Sequence, residues 1–587
     1  NGLNGICLDW SNGNTLSGNT ATDNFDNGIY LESSSHNTLS GNTVTRNPDG
    51  ISIYTSYDNA IEDNTATGNS GAGILLSSCH DHTISNNTAK GSSWGIYLSG
   101  SYHNTIEGNT ATNNNWAGIL LHGSIDNTLS NNIATDNKWD GILIRDKSHK
   151  NNISRNTATG NGNIGICFEY FSNNNTLSNN IVTGNTNGID LDSSWNNTLS
   201  GNTATDNGWY GIYLYSSSGN TIYLNAFDYG WSNSANAWNS PSEIDYGGNS
   251  TYVGNRWSGY TGRDCDGDGI GDTPYDIHGG SEQDIYPLTD NFGPRTHTVC
   301  ASGCNYTTIQ AAINAACPGD TIEVKSGTYT ENVVVNKTLT LRGVDTGGGL
   351  PVVDAGGSVR AITLIADGCT LEGFVATNGD CGIYLKSSSN TISGNTATDN
   401  VRGIFLESST SGNNISGNTA TDNGGAGIYL TSSDDNTISD NNAKGNLRGI
   451  RLESSNGNTF SGNTANDNTE YGIRLESSSG NNISGNTVTG NEGAGIYLTS
   501  SDDNTIPDNN AKGNLRGIRL ESSNGNTLSG NTANDNTEYG IRLESSSDNT
   551  IYLNTFDNAN NSWSDSGNTW NSTTEIEYGG DTTYVGN

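Results

Sequence analysis

Gly425-Ala-Gly-Ile-Tyr-Leu-Thr-Ser-Ser-Asp-Asp-Asn-Thr-Ile438 recurs unchanged as Gly493–Ile506, 68 residues later. The copy is longer than this phrase: Gly425–Gly480 and Gly493–Asp548 differ at only three of 56 positions, Ser439/Pro507, Phe460/Leu528 and Gly480/Asp548. Inside the block, Gly-Ile pairs at Gly427, Gly449, Gly472, Gly495, Gly517 and Gly540 step by 22 or 23 residues. Three turns of a smaller unit therefore make one copied block.

In that unit Ile450 and Leu452 alternate with Arg451 and Glu453, the period-2 pattern of a strand with one buried face. A second short strand is expected at Thr459-Phe460-Ser461 and a third small-residue segment at Thr464-Ala465. No part of the unit has helical spacing. One unit cannot bury its own apolar face, so it must stack on its neighbours as a solenoid. The leucine-rich-repeat pattern, similar in length, is absent. The fold class is all-β: a right-handed parallel β-helix solenoid of two tandem modules with 22–23-residue coils. Asn458, Asn463 and Asn466 recur at the corners, where Asn tolerates left-handed backbone. Stacked roughly 4.8 Å apart, their amides are expected to form ladders. The outward pairs Arg451/Glu453, Arg474/Glu476, Arg519/Glu521 and Arg542/Glu544 are expected to form charge ladders on one face.

The chain has 587 residues, 77 Gly, no Met and a net charge of −37, from 61 Asp and Glu against 24 Lys and Arg. Such a balance opposes nucleic-acid binding and suits calcium, high salt or an extracellular surface. No apolar run reaches membrane-spanning length.

Ten Gly-Ile coils run from Gly5 to Gly211, and eight from Gly382 to Gly540. Between them, Thr308–Ala316 places Ile309, Ala312, Ile313 and Ala316 on one helical face, stopped by Pro318-Gly319. This short N-terminal cap helix of the second module would cover an open end. The organisation reads as coils of the first module (1–224), a C-terminal cap and calcium-type loop or linker (225–295), an N-terminal cap (296–349), coils of the second module (350–548) and a truncated C-terminal cap (549–587). Asn549–Phe556 mirrors Asn220–Phe227, and both chain ends fall inside a module. The expectation is a window on a longer modular protein.

The Gly-Ile-x-Leu…Asn-Thr-Ile-Ser coils, the cap helix with Pro318-Gly319-Asp320-Thr321-Ile322, and Asp266–Asp272 with Tyr286-Pro287-Leu288 resemble the NosD-like, or CASH-repeat, right-handed β-helix proteins. The resemblance implies a setting like the surfaces of methanogenic archaea, where such proteins abound. Other members assist copper-site maturation, and related β-helices cleave polysaccharides.

Asp264, Asp266, Asp268 and Asp272, with the Ile270 carbonyl, match the oxygen-ligand spacing of calcium loops, although Tyr275 stands where an EF-hand has Glu. The expected role of calcium is structural, stiffening the module junction. Cys79-His80-Asp81-His82, with His36 and His103, is the transition-metal candidate, read mainly as corner substitutions. Nine cysteines point to an oxidising compartment. Cys300, Cys304, Cys317, Cys369 and Cys381 are the disulfide candidates, with pairing left open, while Cys7 and Cys167 read as outward or ladder positions. Sequons at Asn86, Asn152, Asn174, Asn196, Asn249, Asn305, Asn336, Asn414, Asn482, Asn560 and Asn571 are the glycosylation candidates. Asp190 and Asp192 share one face with no acidic or basic partner evident, and Asp434-Asp435 is copied as Asp502-Asp503.

Copied outward residues treat coils as interchangeable spacers rather than as a single catalytic groove. The expected function is therefore structural: a cell-surface protein that self-assembles into an extracellular sheath, surface layer or filament. Its expected partners are further copies of itself and cell-wall polysaccharide. The alternatives are a secreted protein that binds or cleaves polysaccharide and, third, a copper-site maturation factor.

Overall fold

The computed structural model describes residues 3–357, 359–565, 567–578 and 581–587. It divides into two compact units, Asn1–Gly293 and Pro294–Asn587. In the first unit three parallel sheets of 11, 10 and 11 strands climb side by side. Each coil contributes one strand to each sheet, as in Ala117–His122, Thr128–Ser130 and Ile133–Thr135. The second unit repeats the plan with sheets of 12 and 11 strands. Its third sheet comes in runs of six and four strands, joined through single bridges at Thr464.

Register is in phase from coil to coil, because the side chains that fill the interior recur at one place per coil. Ile450 and Leu452 pair with Ile473 and Leu475, and all four are fully buried. The second strand adds Phe460 or Ile483, and the third Ala465 or Val488. Each fully buried Ile or Leu side chain stabilises by roughly 1.5–3 kcal/mol. The glycine before each Ile is required by contact, not by backbone angle. A Cβ on Gly449 would lie 2.5 Å from the Gly472 carbonyl and 2.8 Å from the Ala465 Cβ.

The corners are closed by three asparagine ladders. Asn458 donates its backbone N–H (2.8 Å) and Nδ2 (3.2 Å) to Asn481 Oδ1, and Nδ2 also reaches the Ser433 carbonyl at 3.0 Å. Asn463 and Asn468 do the same. This corrects the expectation that Asn466 is the third rung. Asn466 ends the third segment facing out, and its Oδ1 accepts from the Thr489 N–H at 2.8 Å. The left-handed residues are also not the rungs but their predecessors, Gly457, Gly462 and Asp467, at φ 66°, 64° and 53°. A serine ladder accompanies them, from Ser455 through Ser478 to Ser501.

In the second unit, helix α1 (Ile309–Ala315) is capped by Thr308, whose hydroxyl accepts from the Ala311 N–H, and buries Ile309, Ala312 and Ile313. Glu331 receives the N–H groups of Ile309 and Gln310 at 2.8 and 3.0 Å, satisfying the first turn. The first unit closes on Phe227, Trp238 and Trp257, all buried. Trp257 stacks on Tyr275 at 4.5 Å and donates its Nε1–H to the buried Asp284 at 2.9 Å.

Candidate functional site

Side chains that alternate with the buried Ile-Leu columns face outward, and along the first sheet of the first unit they form continuous columns. The central column, in register, is Tyr97, Leu120, Leu143, Cys167, Asp190, Tyr213 and Trp231. On one flank stand Trp94, Trp116, Trp139 and Asp140; on the other, His122, Arg145, Glu169, Asp192 and Tyr215. The earlier coils of these columns, from Trp94 to Tyr170, line a groove of about 570 Å³. A second hollow of about 230 Å³, bounded by Cys167, Asp190, Asp192, Tyr213 and Tyr215, shares Glu169 with the first.

Trp116 and Trp139 stack at 5.7 Å, with planes 21° apart, and remain 54% and 49% exposed. This is an open aromatic platform. At the other end Tyr213 stacks on Trp231 at 4.5 Å. One wall is built by coils one residue longer than the norm: Gly141 to Gly165 spans 24 residues. The extra residue is absorbed in left-handed pairs, Asp146-Lys147 and Tyr170-Phe171, which place Asp146 and Tyr170 beside the groove.

Between the aromatic ends lie buried acids. Asp140, 7% exposed, accepts from the Asn163 Nδ2 at 2.9 Å and the Ile164 N–H at 3.1 Å. Burial pushes its carboxyl up to about 6. Asp190, 8% exposed, receives one long bond of 3.4 Å from Asn187 Nδ2. Burial, reinforced by the charges of Asp192, Glu169 and Asp140, pushes it up to about 7. Burial also raises Glu169, against the pull of Arg145. Arg145 and His122 both engage Asp146, at 2.8 and 3.1 Å, and Tyr97 OH meets His122 Nδ1 at 3.1 Å. The Cys167 thiol is pushed well up by burial, which leaves it a poor nucleophile.

The matching face of the second unit is closed by its own side chains. Arg451 meets Glu453 and Glu476 at 2.8 and 3.2 Å, and Arg519 meets Glu521 and Glu544 at 2.7 and 3.1 Å. Arg451 and Arg519 lie over the Tyr429 and Tyr497 rings at 4.8 Å. On that face the second unit presents paired charges where the first presents an open aromatic platform. Sequence reasoning found Asp190 and Asp192 but not Asp140, Glu169 or the tryptophans, because these sit about one coil apart at positions the repeat leaves variable. Aligning the coils and marking the 24-residue step would have exposed them.

In the loop after the first cap, ligand oxygens of Asp264, Asp266 and Asp268 lie within 4.8 Å of one another. Gly267 and Gly269, at φ 81° and 86°, turn the chain around them. Asp264, 2% exposed, accepts from the N–H groups of Gly267 and Gly269 at 2.6 and 2.8 Å. Burial and neighbouring Asp268 raise Asp266. Asp272 stands apart, its Oδ2 taking the Cys265 N–H at 2.6 Å, and Ile270 is buried and bridges to Leu288. Three converging carboxylates fit a hard, oxygen-seeking cation.

Cys300 and Cys304 form a disulfide, and Cys317 is also disulfide-bonded. Cys369 and Cys381 are free and buried, as are Cys79 and Cys167, and Cys7 is free and exposed. Cys79 and Cys369 replace ladder residues: Cys79 N–H donates to Ser101 Oγ at 3.1 Å and Cys369 N–H to Asn390 Oδ1 at 2.8 Å. His82 is likewise a rung. Its Nδ1 accepts from the Asn59 N–H at 3.0 Å, its Nε2 lies 3.0 Å from the Ser56 carbonyl, and burial lowers it to about 4. His82 and Cys79 are thus turned inward, away from His80 and His103. All eleven sequon asparagines, Asn86 to Asn571, are exposed.

The family model of the right-handed β-helix region matches residues 94–251, 289–443 and 355–511, and the chain belongs to that family. The model described as periplasmic copper-binding protein (NosD) matches residues 1–133 and 445–587. A cell surface glycoprotein of Methanothermus fervidus is 37% identical over 98 residues, which cover 16% of this chain and 15% of that relative. Similar solved structures include a periplasmic alginate epimerase, 15% identical over 71% of this chain and 76% of that one, with a TM-score of 0.31. The A-module of an Azotobacter vinelandii mannuronan C-5 epimerase is 15% identical over 73% and 90%, with a TM-score of 0.31. An alginate lyase from Paenibacillus is 16% identical over 47% and 99%, with a TM-score of 0.26.

Proposed function

We propose that this chain is part of an extracellular, cell-surface β-helix protein whose first unit binds a polysaccharide strand along the outward face of its first sheet. The observation that carries this reading is the open groove with its stacked tryptophans. Exposed Trp116 and Trp139 offer flat apolar faces at coil spacing, while Asp140 and Asp190 offer acceptors between that platform and the Tyr213–Trp231 stack. Pyranose rings present the complementary surface, apolar on their faces and hydroxylated at their edges. The test is affinity electrophoresis of the full chain through gels holding a neutral glucan, a mannan, chitosan or a polyuronate. Retardation by at least one gel, lost in a Trp116→Ala/Trp139→Ala variant, is expected. Unretarded migration in all four would sink the reading.

A second role, self-assembly into a sheath, surface layer or filament, draws support from the second unit. There the copied coils present the same Arg–Glu face repeatedly, as a lateral contact between copies would use. Calcium held by Asp264, Asp266 and Asp268 would stiffen the loop beyond the first cap. Electron microscopy of native material before and after EGTA tests both: ordered arrays that loosen on chelation are expected, and dispersed particles in both conditions would remove the assembly role.

A further inference from the structure

Resting on the polysaccharide reading, we propose that the bound strand carries free amino groups, as a polymer of amino sugars whose ammonium groups lie over Asp190 and Asp140. The groove has a surplus of acceptors. Five carboxylates line its two hollows, those of Asp140, Asp146, Glu169, Asp190 and Asp192. Its two basic side chains, Arg145 and His122, are both committed to Asp146; Arg145 also lies over the Tyr170 ring at 5.2 Å and approaches Glu169 at 4.0 Å. Among the described residues, neither Asp140 nor Asp190 has an ion-pair partner within 4 Å.

The deficit is sharpest at Asp190. Its carboxyl is more than nine-tenths buried, yet its one hydrogen bond is the 3.4 Å contact from Asn187. Asn187 itself holds a buried Oδ1 with no donor. An ammonium brings three N–H donors and no acceptor, so it meets the hydrogen-bond deficit and the charge together. A neutral hydroxyl would meet only the first. A buried carboxylate without a counter-ion is costly, and the ligand supplies the missing one.

Spacing points to a polymer. Asp140 and Asp190 are two coils apart along the solenoid and three residues apart across the sheet, roughly 14 Å in all at about 4.8 Å per coil and about 3.3 Å per residue, the reach of about three pyranose units. The Trp116–Trp139 platform precedes them and the Tyr213–Trp231 stack follows. A metal ion is a weaker match, since among the described residues only Asp264, Asp266 and Asp268 bring their oxygens close enough to share one. A polyuronate would set its own carboxylates against these five.

The test is isothermal titration of the full chain at pH 6.5 with a glucosamine hexamer and with its fully N-acetylated counterpart. The free-amine hexamer should bind at least about tenfold tighter, the worth of one charge-assisted hydrogen bond. Asp190→Asn should shrink that preference to within about twofold. Asp434→Asn, which removes the same charge from the second unit, should leave it intact. Equal binding of both hexamers would overturn the amine reading while leaving the groove reading standing. If neither binds, the amine reading falls, and the four polysaccharide gels decide the groove reading separately. Equal loss in Asp190→Asn and Asp434→Asn, or a hexalysine that binds as tightly as the glucosamine hexamer, would reduce the effect to general attraction by an acidic chain and overturn the proposal.

Discussion

Replacing Asp190 by Asn should stabilise the first unit, and only above mildly acidic pH. Asp190 titrates near 7 in the folded chain, against an ordinary value of 3.8. The folded state therefore holds its proton more tightly than the unfolded state. Stability falls as pH rises from about 4 to about 7 and then levels off, the reverse of a salt-bridged aspartate. Each pH unit of that gap is worth 1.36 kcal/mol, so the ionised side chain costs the fold about 4 kcal/mol at pH 8. Asn has nearly the same shape and no charge, so Asp190→Asn should recover much of this at pH 8 and almost nothing at pH 4. The assay is hydrogen exchange of the amides around Ile189–Leu191, corrected for intrinsic rates, in wild type and variant at both pH values. It reads local opening, which suits a solenoid whose coils need not melt together. A variant whose protection tracks wild type at both pH values would refute the argument that burial holds this carboxyl protonated.

Other consequences are as direct. Trp139→Ala should leave the unfolding free energy within about 1 kcal/mol of wild type, because the ring is half exposed, while abolishing retardation in the polysaccharide gel. Asn463→Ala should destabilise by about 1–3 kcal/mol, because it strips the buried Asn441 N–H of its partner at 3.0 Å and an orphaned buried donor costs that much; denaturant unfolding measures it. Asp266→Asn with Asp268→Asn should remove any calcium-dependent rise in the melting temperature seen by calorimetry, and a rise that survives both changes would place the ion elsewhere.

Much of the fold was legible in the chain because a β-helix writes its core at fixed intervals. Gly449, Ile450 and Leu452 recur in every coil of the copied block, and Thr308–Ala316 breaks that rhythm with the one helical pattern. The ladder rung was misplaced by two residues, at Asn466 instead of Asn468, since both are asparagines beside a turn and only the inward direction separates them. The groove was the least legible part. Trp116, Trp139 with Asp140, and Glu169 lie about a coil or more apart in sequence, at positions the repeat leaves variable. What joins them is the parallel register, which sets residues one coil apart side by side. Copied outward residues argued for uniform coils, and that holds on the second unit's Arg–Glu face but not on the first unit's.

The most direct test of the groove is hydroxyl-radical footprinting of the full chain, with and without the oligosaccharide of whichever polymer retards it most. Protection confined to Trp94, Trp116, Trp139, Tyr213 and Trp231, with Tyr429, Tyr497 and Trp563 unchanged, is the predicted result. Protection centred on the second unit, or none on these tryptophans while the ligand is bound, would contradict the account.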